Sequence, residues 1–337
     1  MTKAELDSIK ILPLEDSWYR RVKEKLDGIA KPLDGLGKFE HLIAQIGAIE
    51  KTTKISIQKK AVLVMCADNG VVEEQVSQSG KEVTLAVAKA MGVNNSSVGK
   101  MAAVAGVDVI PVDIGIDTDE VIPGVLPRKV AKGTKNFAKE PAMTEEEVLK
   151  AIETGIQLVQ QCHREGYEIL ATGEMGIGNT TTSTAVAAAL LDLEVEQVTG
   201  KGAGLTDEAL KRKCRVIKEA IEKYSLRDAD AFTILKTVGG LDIAGLTGVF
   251  IGAAIEQIPV VIDGVISAVA ALLAETLCKG AVNYMIPSHK SRELAETAIM
   301  KKLHLDPVLD ADMALGEGSG AVMMMSLLDV ALGVYLQ

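Results

Sequence analysis

Two kinds of apolar segment alternate along most of this chain, and that alternation limits the fold more than any other feature. Short runs rich in branched residues read as buried strands: Ala61–Ala67 (AVLVMCA), Val107–Val112 (VDVIPV), Tyr167–Ala171 (YEILA) and Pro259–Ile262 (PVVI). Longer alanine-rich or amphipathic runs read as helices: Thr144–Arg164, Thr182–Leu191, Asp207–Tyr224, Ile266–Leu277 and Arg292–Leu303. Continuously apolar strands separated by helices predict a parallel sheet covered on both faces. Only 3% of the residues are aromatic, although 48% are hydrophobic. The core must therefore be built from Ala, Val, Ile, Leu and Met, which suits helices laid on a sheet. A chain of 337 residues is long enough for one large domain or slightly more.

Two charged amphipathic helices are expected before the first strand, near Asp16–Ile29 and Gly37–Ile49, and an apolar one at the end, Ala321–Leu336. None has a strand partner nearby in sequence. They are expected to pack together as a small helical domain, from residues 1–51 and 311–337, or against a second subunit. Residues 52–310 would form the large domain. The stretch Val121–Met143, rich in Pro, Gly and Lys, reads as an irregular hairpin or loop. Glu256, Pro259 and Asp263 interrupt the most apolar stretch, Ile243–Ala274. It falls short of the roughly 20 uninterrupted apolar residues of a membrane span and reads as helix, strand and helix.

Charge and reactive side chains exclude several functions. The net charge of −10 (36 basic against 46 acidic residues) argues against a nucleic-acid surface, which needs a basic footprint. Cys66, Cys162, Cys214 and Cys278 lie far apart and read as buried or idle thiols of a reducing compartment. His41, His163, His289 and His304 are equally scattered, so no metal site is expected. The N-terminal MTKAELDSIK lacks an apolar signal core, and the expected location is the cytoplasm.

Five segments can carry chemistry. Gly173–Thr184 (GEMGIGNTTTST) follows a strand and precedes a helix. Glycines let a ligand approach the backbone, and helix-start amides favour an anion. The run Thr180–Thr184 adds donors and a helix cap. The same pattern also suits a tight turn with no ligand. Neither a Walker loop nor a dinucleotide fingerprint is present. Glu174 inside this loop would repel a phosphate, so it is either a ligand contact, for a ribose hydroxyl or a base, or a surface carboxylate. In Ala314–Gly320 (ALGEGSG), glycines flank Glu317 and leave its carboxylate open to a flat ligand, as a general base would need; a simple helix-start turn is the other reading. Val260–Gly264 (VVIDG) and Cys66–Val71 (CADNGV) end strands with Asp263 and Asp68, at the carboxyl ends where open α/β sheets place their ligand crevice. Asp263 also suits a helix N-cap. Gly200–Thr206 (GKGAGLT), followed by Lys211–Lys213, suits an anion site or a solvated helix face.

These segments together resemble the nicotinate-nucleotide–dimethylbenzimidazole phosphoribosyltransferase family. The matching stretches run nearly end to end: Lys31–Glu40 (KPLDGLGKFE), Val62–Val71 (VLVMCADNGV), GEMGIGNTT, GKGAGL, Val238–Gly248 (VGGLDIAGLTG), VVIDG, Ile286–Ser291 (IPSHKS) and Leu315–Ala321 (LGEGSGA). The resemblance implies a Rossmann-like, mostly parallel α/β sheet with helices on both faces, a small helical domain, and a homodimer with both subunits near each site. It implies transfer of phosphoribose from nicotinate mononucleotide to 5,6-dimethylbenzimidazole or a related base, with inversion at C1′. The products would be α-ribazole 5′-phosphate and nicotinate, for assembly of the cobalamin nucleotide loop. Glu317 would be the catalytic base, with Glu174 and Asp263 as supporting acidic residues. Gly176, Gly178, Asn179, Thr180, Thr181, Gly202 and Lys213 would hold phosphate. Ser79, Val87, Ser291, Leu315 and Gly316 would complete the substrate pockets. No cofactor and no metal are expected, because the donor has no pyrophosphate leaving group.

Three positions depart from the family's pattern. Many relatives have Arg at the position of Ala314 and His at that of Asn69, and Val87 replaces a polar residue of the acceptor pocket. The last points to a pocket altered for a less polar base. The first leaves open a second reading, a nucleotide-binding, weakly active subunit that works with a paralogous partner.

Overall fold

The computed structural model describes residues 1–200 and 204–336. Six strands form one sheet: β1 (Lys60–Ala67), β2 (Val107–Gly115), β3 (Leu126–Pro127), β4 (Ile169–Met175), β5 (Val260–Ile262) and β6 (Met285–Pro287). Their order is β3-β2-β1-β4-β5-β6, and every pairing is parallel. The chain runs outward in one direction from β1 and then returns to lay β4 on its other side. Such a reversal opens a crevice beyond the carboxyl ends of the two central strands.

Side chains alternate across β1 and divide the core in two. Ala61, Leu63 and Met65 face one cluster, packed under helices Glu145–Arg164, Leu241–Glu256 and Val265–Leu277. Val62, Val64 and Cys66 face the other, packed under Asp16–Asp27, Lys38–Ile49 and Ser319–Tyr335. All eight residues of β1 are buried, as a central strand covered on both faces requires.

The terminal helices share a core with the sheet. Val22, Leu26, Ile43 and Ile46 join Met324, Leu328 and Tyr335 over β1. The Tyr335 hydroxyl donates to Thr53 O at 2.8 Å, and Lys25 lies over its ring. Buried Glu40 takes Lys23 and Lys31 at 2.8 and 2.6 Å, which clips the turn of KPLDGLGKFE onto this layer. We propose that residues 1–51 and 311–337 act as a small helical domain seated on the domain formed by 52–310. The first turn departs from that grouping: helix Lys3–Ser8 buries Leu6 in the opposite cluster.

Some local expectations change. The strand read as Tyr167–Ala171 runs on to Met175, so Gly173 and Glu174 lie on β4 and not in a loop. The helix after it starts at Asn179, three residues early, with Gly178 as its N-cap. Thr182 and Thr184 do not cap it; they bond back to Asn179 O and Thr180 O from inside its first turns. The irregular stretch 121–143 contributes the edge strand β3. Strand β6 and helices Glu82–Gly92, Ser97–Ala105 and Ala231–Val238 were not legible beforehand. Among the described residues no helix is long and apolar enough to cross a membrane.

Candidate active site

The crevice at the strand reversal is a cleft shared by four separated segments: β4 with the turn after it, the end of β5, the turn after β6, and the loop before the last helix. Glu174, Gly176, Asn179, Thr180, Asp263, Ser291, Leu315, Gly316 and Glu317 all line it, as do His289, Glu293 and Ala314.

Two of these segments touch through their backbones. A Cβ on Gly173 would lie 2.5 Å from Glu317 O, and one on Gly318 would lie 2.6 Å from Val62 Cγ2 and 3.2 Å from Thr172 O. Only glycine at these positions lets the loop rest on β4. Gly316, Glu317 and Gly318 take successive left-handed conformations, with φ of 80°, 60° and 92°. For glutamate that geometry costs about 1–3 kcal/mol, a strain typical of working sites. It turns the Glu317 carboxylate toward helix Ser97–Ala105, where Oε2 accepts from Val98 N at 3.0 Å.

Asp263, at the end of β5, holds this loop in place. Its carboxylate accepts from the backbone N–H groups of Gly318, Gly320 and Ala321 at 3.2, 2.8 and 3.1 Å. It therefore caps the start of helix Ser319–Tyr335 from outside that helix. Burial pushes its pKa up despite these bonds and the nearby His289. His289 is itself buried, with Nδ1 2.9 Å from Ser288 Oγ.

Glu174 is buried and bonded to the Asn179 amide. Burial first, and the negative charge of Asp242 second, push its pKa up to about 8. Lys213 is fully buried behind the glycine turn. It donates to Thr180 Oγ1 at 2.9 Å and to Gly200 O at 3.3 Å, and burial pulls its pKa down to about 8. It reaches the cleft only through Thr180. Among the described residues, no Lys or Arg side chain lines the cleft.

Other expected residues lie elsewhere. Gly178 and Thr181 belong to the turn and the helix start behind the lining; Thr181 Oγ1 is buried without a partner. Gly202 lies outside the described residues. Ser79 and Val87 do not line the cleft: Ser79 N donates to Ser77 Oγ, and Val87 packs on the core beneath the terminal helices. Asp68 holds the Asp117 amide at 2.8 Å, a structural bond away from the lining. Sequence reasoning passed over Val98, His289 as a site residue, and Asp242. Ser96, which caps the helix carrying Val98, was the available signal for the first.

A family model described as phosphoribosyltransferase matches residues 11–337. A nicotinate-nucleotide–dimethylbenzimidazole phosphoribosyltransferase from Acetivibrio thermocellus is 45% identical over 93% of this chain and 90% of its own. One of that name from Clostridium perfringens is 44% identical over 94% and 88%. The crystal structure of CobT from Thermus thermophilus superposes with a TM-score of 0.91 at 34% identity, covering 95% of this chain and 96% of that one. Near-complete mutual coverage and a shared fold at these identities make this chain an enzyme of the nicotinate-nucleotide–dimethylbenzimidazole phosphoribosyltransferase family.

Proposed function

We propose that this enzyme moves phosphoribose from nicotinate mononucleotide to 5,6-dimethylbenzimidazole or a related base, giving α-ribazole 5′-phosphate and nicotinate for the cobalamin nucleotide loop. The observation that carries the reading is that Glu317 and the glycine turn line one cleft, the Glu317 loop resting at Gly173 on β4, the strand that leads into that turn.

The donor's C1′ is bonded to a pyridinium nitrogen. When that bond breaks, its electron pair neutralises the ring, so nicotinate leaves without being protonated. The transition state is oxocarbenium-like. The enzyme's tasks are to seat the phosphate, to hold the acceptor nitrogen on the opposite face of the ribose, and to take the acceptor's N–H proton as the new C1′–N bond forms. The turn Gly176–Thr181 with Lys213 behind Thr180 suits the first task. The half-exposed Leu315 side chain offers an apolar surface for a flat ring in the second, where positioning alone lowers the barrier strongly. Glu317 suits the third. Attack opposite the departing pyridine inverts C1′. Asp263 acts through the Glu317 loop and is a positioning residue.

The test is turnover by the purified chain with both substrates, with the product's mass and anomeric configuration determined. Glu317→Gln should fold normally and lose about 10²–10⁴ in kcat; near-wild-type turnover by this variant would remove Glu317 from the role. A cleft lined by Glu174, Asp263, Glu293 and Glu317, with Ala314 at its rim, favours one second reading, a nucleotide-binding subunit that needs a paralogous partner. Calorimetric binding of nicotinate mononucleotide without product formation would select it. A cytoplasmic homodimer remains part of the proposal, to be tested by sedimentation.

A further inference from the structure

One buried carboxylate beside the cleft has no part in the scheme above. Asp242 opens helix Leu241–Glu256 and is fully buried, outside the cleft lining. Its Oδ2 accepts from Asn179 Nδ2 at 3.1 Å, and the same amide nitrogen donates to Glu174 Oε2. One neutral amide therefore ties two carboxylates together. Among the described residues neither forms a salt bridge. The leading charge effects on the pair come from other acids: Asp263 and Glu317 on Glu174, and Asp68 on Asp242. The thiol beside them, Cys66, is pushed up by burial first, then by Asp113 and by the same two carboxylates.

With both carboxylates buried on one amide, the charge of Asp242 disfavours ionisation of Glu174 beyond what burial does. Burial pushes Asp242 up to about 6 and Glu174 up to about 8, so the proton rests on Glu174. Its position follows from the bonds. Oε2 already accepts from Asn179. Oε1 lies under Gly316, where an added Cβ would come within 2.8 Å of it, on the cleft side.

We infer that Asp242 is a positioning residue which, through Asn179, keeps Glu174 a neutral carboxylic acid that donates its Oε1–H to an oxygen of the bound ribosyl phosphate. This rests on the reading of the cleft as a phosphoribosyl site. It also resolves a conflict in the sequence, a glutamate inside an anion cradle. An ionised Glu174 would repel the donor; a neutral one adds a hydrogen bond, as other buried carboxylic acids do in enzyme sites.

Two measurements test it. The first needs no substrate. Infrared difference spectra of the whole chain, wild type minus Glu174→Gln at neutral pH, should show the carbonyl stretch of one protonated carboxyl group. Its absence overturns the inference, whatever the chain turns over. The second is the pH profile of kcat/KM for nicotinate mononucleotide. In the wild type it should fall on the alkaline side, as Glu174 loses its proton. Asp242→Asn removes the charge that holds the proton, so the fall should move about one unit toward acid or more. An unmoved fall with kcat lowered equally at every pH marks Asp242 as merely structural and overturns the inference. Failure of the phosphoribosyl reading looks different: the infrared band is present and there is no turnover.

Discussion

The two glycine turns that meet in the cleft are near copies of each other, and they do opposite things. Each leads into a helix through a glycine N-cap with φ of 92°, Gly178 in one and Gly318 in the other, and neither cap has a side chain to bond the first turn. The start of Ser319–Tyr335 is filled by the protein itself, because Asp263 takes three of its N–H groups. At the start of Asn179–Leu191 no carboxylate bonds to the backbone N–H groups among the described residues, and Lys213 reinforces its positive end. An exposed helix start attracts anions, and one already holding a carboxylate does not. The same local backbone thus serves as an anchor in one place and, on our proposal, as a phosphate seat in the other.

The comparison breaks or sharpens under substitution. Asp263→Ala should have the largest effect. It strands three buried donors and should cost about 3 kcal/mol or more of folding stability, read by chemical denaturation, with activity lost alongside. Lys213→Met should do the reverse. Donor KM should rise about 2- to 10-fold, the worth of the hydrogen bond through which Lys213 acts on Thr180, while stability holds or improves, since burial already disfavours the ammonium. If Lys213→Met unfolds the chain and Asp263→Ala only weakens binding, the assignment of the two turns is reversed. Gly318→Ala should then cost more than Gly178→Ala, because its added methyl also meets Thr172 O at 3.2 Å, whereas that on Gly178 meets only side chains. Both residues are left-handed, and both added methyls would meet a valine methyl, at 2.7 and 2.6 Å. Each should cost about 1–2 kcal/mol. Smallest is Ala314→Arg, which places a cation at the cleft rim and should lower donor KM about fivefold at most, as for an exposed ion pair.

Stability against pH gives a separate measure of the same floor. Glu174 ionises in the unfolded chain at the ordinary carboxylate value but in the folded one only near 8. The folded state then holds a proton that the unfolded state has lost, so stability falls as pH rises across that window and levels above it. Thermal melts should show Glu174→Gln gaining on the wild type through the same window, and a constant gap would contradict a buried neutral acid.

The sheet was largely legible because strand residues such as Val62–Cys66 are apolar on both faces, a pattern with few other uses. What the sequence hid was formed by distant contact. Nothing local to VVIDG says that Asp263 caps a helix more than fifty residues later, because cap patterns are read within a turn and this one is made across the sheet. Nothing local to Asp242 marks it as the partner of Glu174. The short strands β3 and β6 are too brief to carry a pattern of their own. Glu174, Asp263 and Glu317 came from motif resemblance, and the packing of Gly173 under Glu317 supplies the physical reason that those motifs meet.

That contact also sets an order of events. The strand and turn proposed to grip phosphate leave the ribosome more than a hundred residues before Glu317, and the loop bearing Glu317 has nowhere to lie until Gly173 is already in the sheet. A chain clipped before this loop would lose the proposed base together with Met324, Leu328 and Tyr335, which cover β1, so the chemistry and the closing of the core arrive in the same last segment.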